Sequence, residues 1–253
     1  MVYHSLTEAP HNLKEAVDWL VALKGTDAEK NLRAIGAAVH KFLADKPVGK
    51  MDVPAVEEVK LISKKFLEKL EFTVMWPTSV LLEKFKRPMN KNPGFFVKAF
   101  GFVDKSDYKN AVEAKGLTAE AIAENLGTVV YGCEKFLGEI KTPATYNSAY
   151  SSKATWDASC AKDPEACAVV FVGIAPMLWA GLHSLRQTIL DEPHRYMSYG
   201  VKSSLSDVLK ALGYDDDDCL PGVNRPDVGK ALSGLKPRIF EFIYDLCGFW
   251  AFY

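Results

Sequence analysis

The chain has 253 residues, 48% hydrophobic and 25% charged, with a formal net charge of −1. That is globular composition and excludes disorder; a chain this long buries roughly three quarters of its unfolded surface, so a core requires neither metal nor disulfide. Near-neutral net charge without a long Lys/Arg block is poor electrostatics for binding nucleic acid, which demands a clustered basic surface.

Helix signals dominate in chain order. Asn12 with Glu15 three residues on has capping-box spacing, and Leu13, Ala16, Val17, Leu20 and Leu23 follow at helical spacing until Gly25. Thr26 to Glu29 has the same spacing and opens a second helix with Leu32, Ile35, Val39, Phe42 and Leu43 on one face, ending before Pro47. Pro54 sits as a first-turn proline, followed by the stripe Val56, Val59, Ile62, Phe66, Leu67 and Leu70 with Lys and Glu opposite. A short fourth helix follows Met75-Trp76-Pro77 and stops before Pro88. Between Arg87 and Val103 strand and helix are both open, and the four phenylalanines Phe95, Phe96, Phe100 and Phe102 read as core.

Thr118 opens the strongest helix, striped by Ile122, Leu126, Val129, Val130, Cys133, Leu137 and Ile140. The segment Thr142 to Ala161 is then a loop beyond ordinary connection length, a class that often carries function. Asp163-Pro164-Glu165 supplies a cap, a first-turn proline and an early acid for the next helix. Its stretch from Ala166 to Leu182 carries no charge. It would span about 26 Å, short of the roughly 20 residues a bilayer takes, and glycines and Pro176 interrupt it. A buried core helix is therefore expected rather than a membrane span. Short helices follow over Ser203 to Leu212 and Asp227 to Leu235, separated by the acidic loop Tyr214 to Gly222, in which Asp215 to Asp218 read as solvated. Pro237 to Tyr253 reads as one final amphipathic helix.

These elements predict an all-α fold: a multi-helix bundle with a long Cys-containing loop before a buried central helix, as one domain over 1–253, with a subdivision at 1–115 and 116–253 as the other arrangement. The five cysteines all lie in the second half, without a C-x-x-C or zinc-finger spacing, so no metal or other cofactor is expected. Five buried thiols and one or two disulfides are both open. Cys160 and Cys167 are close enough in sequence to pair, and Cys133, on an apolar helical face, is the expected free thiol. The five histidines are scattered and read as surface or cap residues. Nucleophile-elbow, P-loop and dinucleotide motifs are missing, and a thiol on an apolar face has a raised pKa, so no enzyme is expected. The first 25 residues show neither the basic start nor the apolar run of a signal peptide, and the chain holds no N-x-Ser/Thr sequon. In the long loop, Tyr146, Tyr150 and Trp156 are of the types enriched at binding hot spots; they suit contact with a partner, and equally suit pinning the loop to the bundle.

Two blocks resemble one family, the variant erythrocyte surface antigens of Babesia. The first runs from Tyr3 to Pro10 and from Asn12 to Leu20, YHSLTEAP and NLKEAVDWL. The second comprises Ala154-Thr155-Trp156, Cys160, the run from Cys167 to Pro176, Trp179 and Leu182. Gly132 to Gly138, GCEKFLG, is a weaker third echo. The blocks cover about a quarter of the chain. Long family members carry more cysteines, glycine-rich insertions and a transmembrane segment, so the likeness is to a short or trimmed relative. The resemblance implies export to the infected erythrocyte surface or the host-cell side, antigenic variation, adhesion to host endothelium, and a host cell-surface protein or another antigen subunit as partner. It also implies an oxidising exterior, which favours disulfides among Cys160, Cys167, Cys219 and Cys247. The alternative is a soluble intracellular helical scaffold or binding module without export.

Overall fold

A computed structural model describes residues 2–49, 51–69, 76–86, 92–100, 103, 105–190 and 204–253. The expectations placed on Leu70, Met75, Pro88, Phe102, Pro193, His194 and Ser203 lie outside the described residues.

The first half holds α1 (Leu13–Lys24), α2 (Ala28–Ala44), α3 (Pro54–Leu67), α4 (Trp76–Lys86), the short α5 (Phe95–Ala99), a 3-10 turn (Lys105–Asp107) and α6 (Ala111–Lys115). The second holds α7 (Ala119–Ile140), the one-turn α8 (Trp156–Ser159), α9 (Pro164–Leu190), α10 (Leu205–Ala211), α11 (Arg225–Leu232), α12 (Pro237–Asp245) and α13 (Phe249–Phe252). The fold is all-α. Two isolated bridges, Tyr3 with Tyr150 and Lys141 with Cys219, are the β pairings among the described residues.

Local chemistry explains the helix starts. The Asn12 side chain accepts from Glu15 N at 2.9 Å, while Glu15 reaches back to His11 N at 2.7 Å, one residue before the capping-box position. In α2 the cap is Asp27 rather than Thr26, because it is the Asp27 carboxylate that accepts from Lys30 N. Thr118 accepts from Ala121 N at 3.1 Å and Asp163 from Ala166 N at 3.2 Å, each relieving an orphan donor of the first turn.

Central to the packing is α9. It touches α1, α2, α3 and α4 on the one hand and α10, α11 and α12 on the other, while α7 packs on α1, α2 and α11. By length and mean hydropathy α9 could cross a bilayer, yet 89% of its most apolar window is buried inside the fold, so its apolar surface is met by protein. The helix continues through Pro176. Proline has no N–H to give the Val172 carbonyl four residues back; at the next residue the buried Ser63 hydroxyl donates to the Gly173 carbonyl at 2.7 Å. Gly173 also sets how closely α3 approaches, since a Cβ at that position would overlap the Val59 side chain.

Two expectations are corrected. The segment Pro237 to Tyr253 is two helices, not one. Gly248 adopts a left-handed φ of 65° and breaks the run, which turns α13 back onto α3. Phe95, Phe96 and Phe100 are not core: they stand 78%, 72% and 69% exposed on α5. Five residues make only one short turn of helix, too little to present a face to the bundle and a second face to water.

Of the α3 stripe, Val56, Val59, Phe66 and Leu67 are buried and Ile62 is half-buried, but Lys60 is buried too, at 0% exposure. Its ammonium finds no hydrogen-bond acceptor among the described residues. It lies 5.0 Å, 4.9 Å and 4.7 Å from the ring centroids of Phe249, Phe252 and Tyr253, so α13 and the residue after it close an aromatic cage over it.

Candidate functional site

The long loop after α7 lies flat against the N-terminal segment and α1. Asp18, buried on α1, anchors it: one carboxylate oxygen accepts from the Tyr146 hydroxyl at 2.6 Å and the other from Ala149 N at 2.8 Å. Burial raises the Asp18 pKa, and these two hydrogen bonds pull it partly back. Tyr3 pairs with the loop through its backbone, donating to Ala149 O at 2.8 Å and accepting from Ser151 N at 2.9 Å. Its ring stacks on Tyr150 at 4.8 Å, and its hydroxyl donates to Glu15 at 2.8 Å, beside His11. The Tyr150 hydroxyl donates to Glu8 O at 2.6 Å. Further on, Leu6 N donates to Ser159 Oγ at 3.0 Å, and Leu6 O accepts from the buried Trp19 indole at 2.8 Å.

Tyr150 and Trp156 are therefore buried, and Tyr146 is half-buried with its hydroxyl turned inward. Of the two roles open for these three, the structure shows pinning: two rings are buried and the third bonds Asp18. The hydroxyls of Tyr146 and Tyr150 are pushed well above the ordinary tyrosine range, chiefly by burial.

Cys160 and Cys167 form a disulfide that ties the end of α8 to the first turn of α9, with Cα atoms 5.9 Å apart. Cys133, Cys219 and Cys247 are free. The expectation that Cys219 and Cys247 join the disulfide set is corrected. Cys219 sits in the acidic loop, bridged to Lys141, and Cys247 lies in the core, where its thiol faces Ile243 O at 3.6 Å. Burial pushes the thiols of Cys133 and Cys247 up to about 12 and that of Cys219 up to about 11, so all three stay protonated and poorly nucleophilic.

A second concavity went unread in the sequence. A cavity of about 300 Å³ lies between α9 and α12, lined by Trp179, His183, Arg186, Phe240 and Tyr244, with Lys115 at its edge. His183 packs 4.7 Å from the Trp179 ring and 4.1 Å from the Phe240 ring, half-buried rather than at the surface. Burial, reinforced by the Arg186 charge, lowers its pKa to about 4, so the imidazole is neutral at physiological pH. Arg186 lies over the Phe240 face at 5.6 Å, and Lys115 pairs with Asp245 at 3.6 Å. The Tyr244 hydroxyl donates to Asp107 at 2.9 Å, which also accepts from Lys84 at 2.8 Å. The legible signal is Trp179, His183 and Arg186 at i, i+4 and i+7, one face of α9, opposite Phe240 and Tyr244 at i, i+4.

Of the other histidines, His4 is exposed and contacts Ser151, and His11 is exposed beside Tyr3. Among the described residues no group of three or more His, Cys, Asp or Glu converges as a metal site would require. The acidic loop is used in packing as well as being solvated: Asp218 pairs with Lys14 at 3.6 Å and Asp216 with Lys210 at 2.9 Å.

The fold and site define an all-helical bundle whose long loop is sealed to its N-terminal segment and followed by a short disulfide. Set against protein-family models, curated proteins and solved structures, the chain matches none.

Proposed function

We propose that this chain is an exported, non-enzymatic surface antigen of infected erythrocytes, akin to the variant erythrocyte surface antigens of Babesia, serving antigenic variation and adhesion of the infected cell to host endothelium. One observation carries the reading. The two sequence blocks that resemble that family, some 150 residues apart, lie against each other: Trp19 of the first stacks on Phe171 of the second at 6.2 Å, and residues flanking or interleaved with the second block also meet the first, Tyr150 pairing with Tyr3, Ser159 Oγ accepting from Leu6 N, and Gly181 lying under Leu13. A shared pair of blocks is expected to survive in relatives when it builds a shared scaffold, while loops outside it vary. The Cys160–Cys167 disulfide suits an oxidising exterior. The partner is a host cell-surface protein or another antigen subunit, met by surface other than the inward-facing aromatics of the loop.

Antibody staining of intact, unpermeabilised infected red cells tests this. Signal at the surface supports it, and consistent absence from both the surface and the host cytosol sinks it.

A second reading, a soluble intracellular helical scaffold, is favoured by the three free thiols among five cysteines. Peptide mapping of native material under non-reducing conditions separates the two. An oxidised Cys160–Cys167 pair supports export, and a fully reduced pair supports the intracellular scaffold.

A further inference from the structure

The rings of Phe95, Phe96 and Phe100 form one contiguous exposed patch, with Phe95 edge-on to Phe96 at 5.9 Å and Phe96 stacked on Phe100 at 6.4 Å. Single exposed apolar residues are ordinary, but three adjoining phenylalanines facing water are not, and such patches mark interaction surfaces. Lys98 on the same helix lies over the Tyr108 ring at 5.0 Å, and the turn before Tyr108 is held in the fold by Asp107, which accepts from both Lys84 and Tyr244.

Charge along the sequence on either side of the patch selects the occupant: in a chain of net charge −1, residues 84–109 hold seven cations against two acids. Of the acids, Asp107 is already paired with Lys84. Lys86, Lys98, Lys105 and Lys109 are exposed. Aromatic rings bordered by lysines match the boundary between acyl chains and headgroups of an anionic bilayer, where rings enter the interface and ammonium groups meet lipid phosphates. A second copy of the chain fits poorly. A two-fold contact through this patch would set the same lysines against each other, and like charges across an interface are repulsive. One short helix also offers far less area than a stable dimer buries.

We propose that α5 is a membrane-surface anchor, whose Phe95, Phe96 and Phe100 insert into the interfacial layer of an anionic phospholipid bilayer while Lys98 and Lys105 bind its headgroups. The chain then lies on a membrane through this turn and does not span it through α9. The inference does not depend on the export reading.

The full chain with its disulfide intact is sedimented with large unilamellar vesicles of phosphatidylcholine containing phosphatidylserine, and with vesicles of phosphatidylcholine alone. Binding to the anionic vesicles, weakened by salt, is expected; the triple variant Phe95→Ser, Phe96→Ser, Phe100→Ser should lower the partition coefficient at least about tenfold. The pair Lys98→Glu, Lys105→Glu should remove most of the preference for phosphatidylserine. All three phenylalanines are exposed, so the variants should keep the wild-type circular dichroism and melting temperature, which is checked alongside. Three outcomes overturn the proposal: no vesicle binding by the wild type, equal binding by the triple variant, or a patch-dependent dimer by light scattering without vesicle binding.

Discussion

Lys60 and His183 are single residues whose burial changes their proton affinity, and both make testable demands on stability. Burial lowers the Lys60 pKa from 10.5 to about 7, with Cys247 opposing slightly, and the aromatic cage only partly replaces lost hydration. Because the folded value lies below the unfolded one, the folded chain binds fewer protons between them. Stability is therefore fullest above the unfolded value and falls as pH drops toward about 7. Lys60→Met keeps the stem volume and removes the charge. It should stabilise the protein at neutral pH by on the order of a few kcal/mol and flatten the rise in stability from about pH 7 to about pH 8.5, read by urea denaturation. A variant less stable than wild type at neutral pH would show that the cage favours the cation. His183 has the same sign in a lower window: its stability contribution is present above 6.5 and lost as pH falls toward about 4. His183→Gln should remove on the order of 1–2 kcal/mol of acid destabilisation across that window, after allowance for its partial exposure. An unchanged acid limb would place the sensitivity elsewhere.

At the scale of elements, the long loop behaves as part of the core because one carboxylate on α1 accepts two of its hydrogen bonds. Asp18→Ala would leave the Tyr146 hydroxyl and the Ala149 N–H without their acceptor. Each unmade buried bond costs about 1–3 kcal/mol, so a loss of about 2–4 kcal/mol is expected, with new proteolytic cleavage confined to residues 142–161. Cleavage spread evenly over the chain would show that Asp18 holds the bundle rather than the loop. The helices themselves were legible because their caps and stripes are local: Asn12, Thr118 and Asp163 each bond the residue three positions on. The break at Gly248 was not, since glycine both tolerates a helix interior and permits the left-handed turn, and the choice is made by where α13 packs. The exposed phenylalanines of α5 were misread for a related reason. Composition marks a ring as apolar, but only the length and mounting of its helix decide whether a core lies within reach.

For the whole molecule, the last segment tests how cooperative the bundle is. Ile239, Phe242, Ile243, Leu246, Phe249 and Trp250 are buried, and the cage over Lys60 is built from the same stretch. At about 1.5–3 kcal/mol per buried large side chain, their burial matches the about 5–15 kcal/mol by which domains are stable. Deleting residues 237–253 should therefore abolish the cooperative thermal transition by circular dichroism. A folded, soluble remainder would instead make this segment a separable arm. The candidate sites divide in the same way. Cys160 and Cys167, seven residues apart with the cap at Asp163 between them, were legible as close enough to pair, and the structure joins them. The pocket by His183 was not legible, because its walls come from α9 and α12, more than 50 residues apart.

The sequence by itself determined the helix-forming segments, most of their starts and the apolar central helix, since each depends on chemistry within a few residues along the chain. Tertiary structure alone decided which way side chains of ambiguous type turn. Tyr146, Tyr150 and Trp156 face inward because Asp18, Glu8 and the N-terminal segment wait beneath them. Lys60 is enclosed because Gly248 returns three rings to α3, and Phe95 and Phe96 stand exposed because α5 is a single short turn that packs little on the other helices. An aromatic ring or a long amine is soluble in either environment at modest cost, so its place is settled by partners distant in sequence.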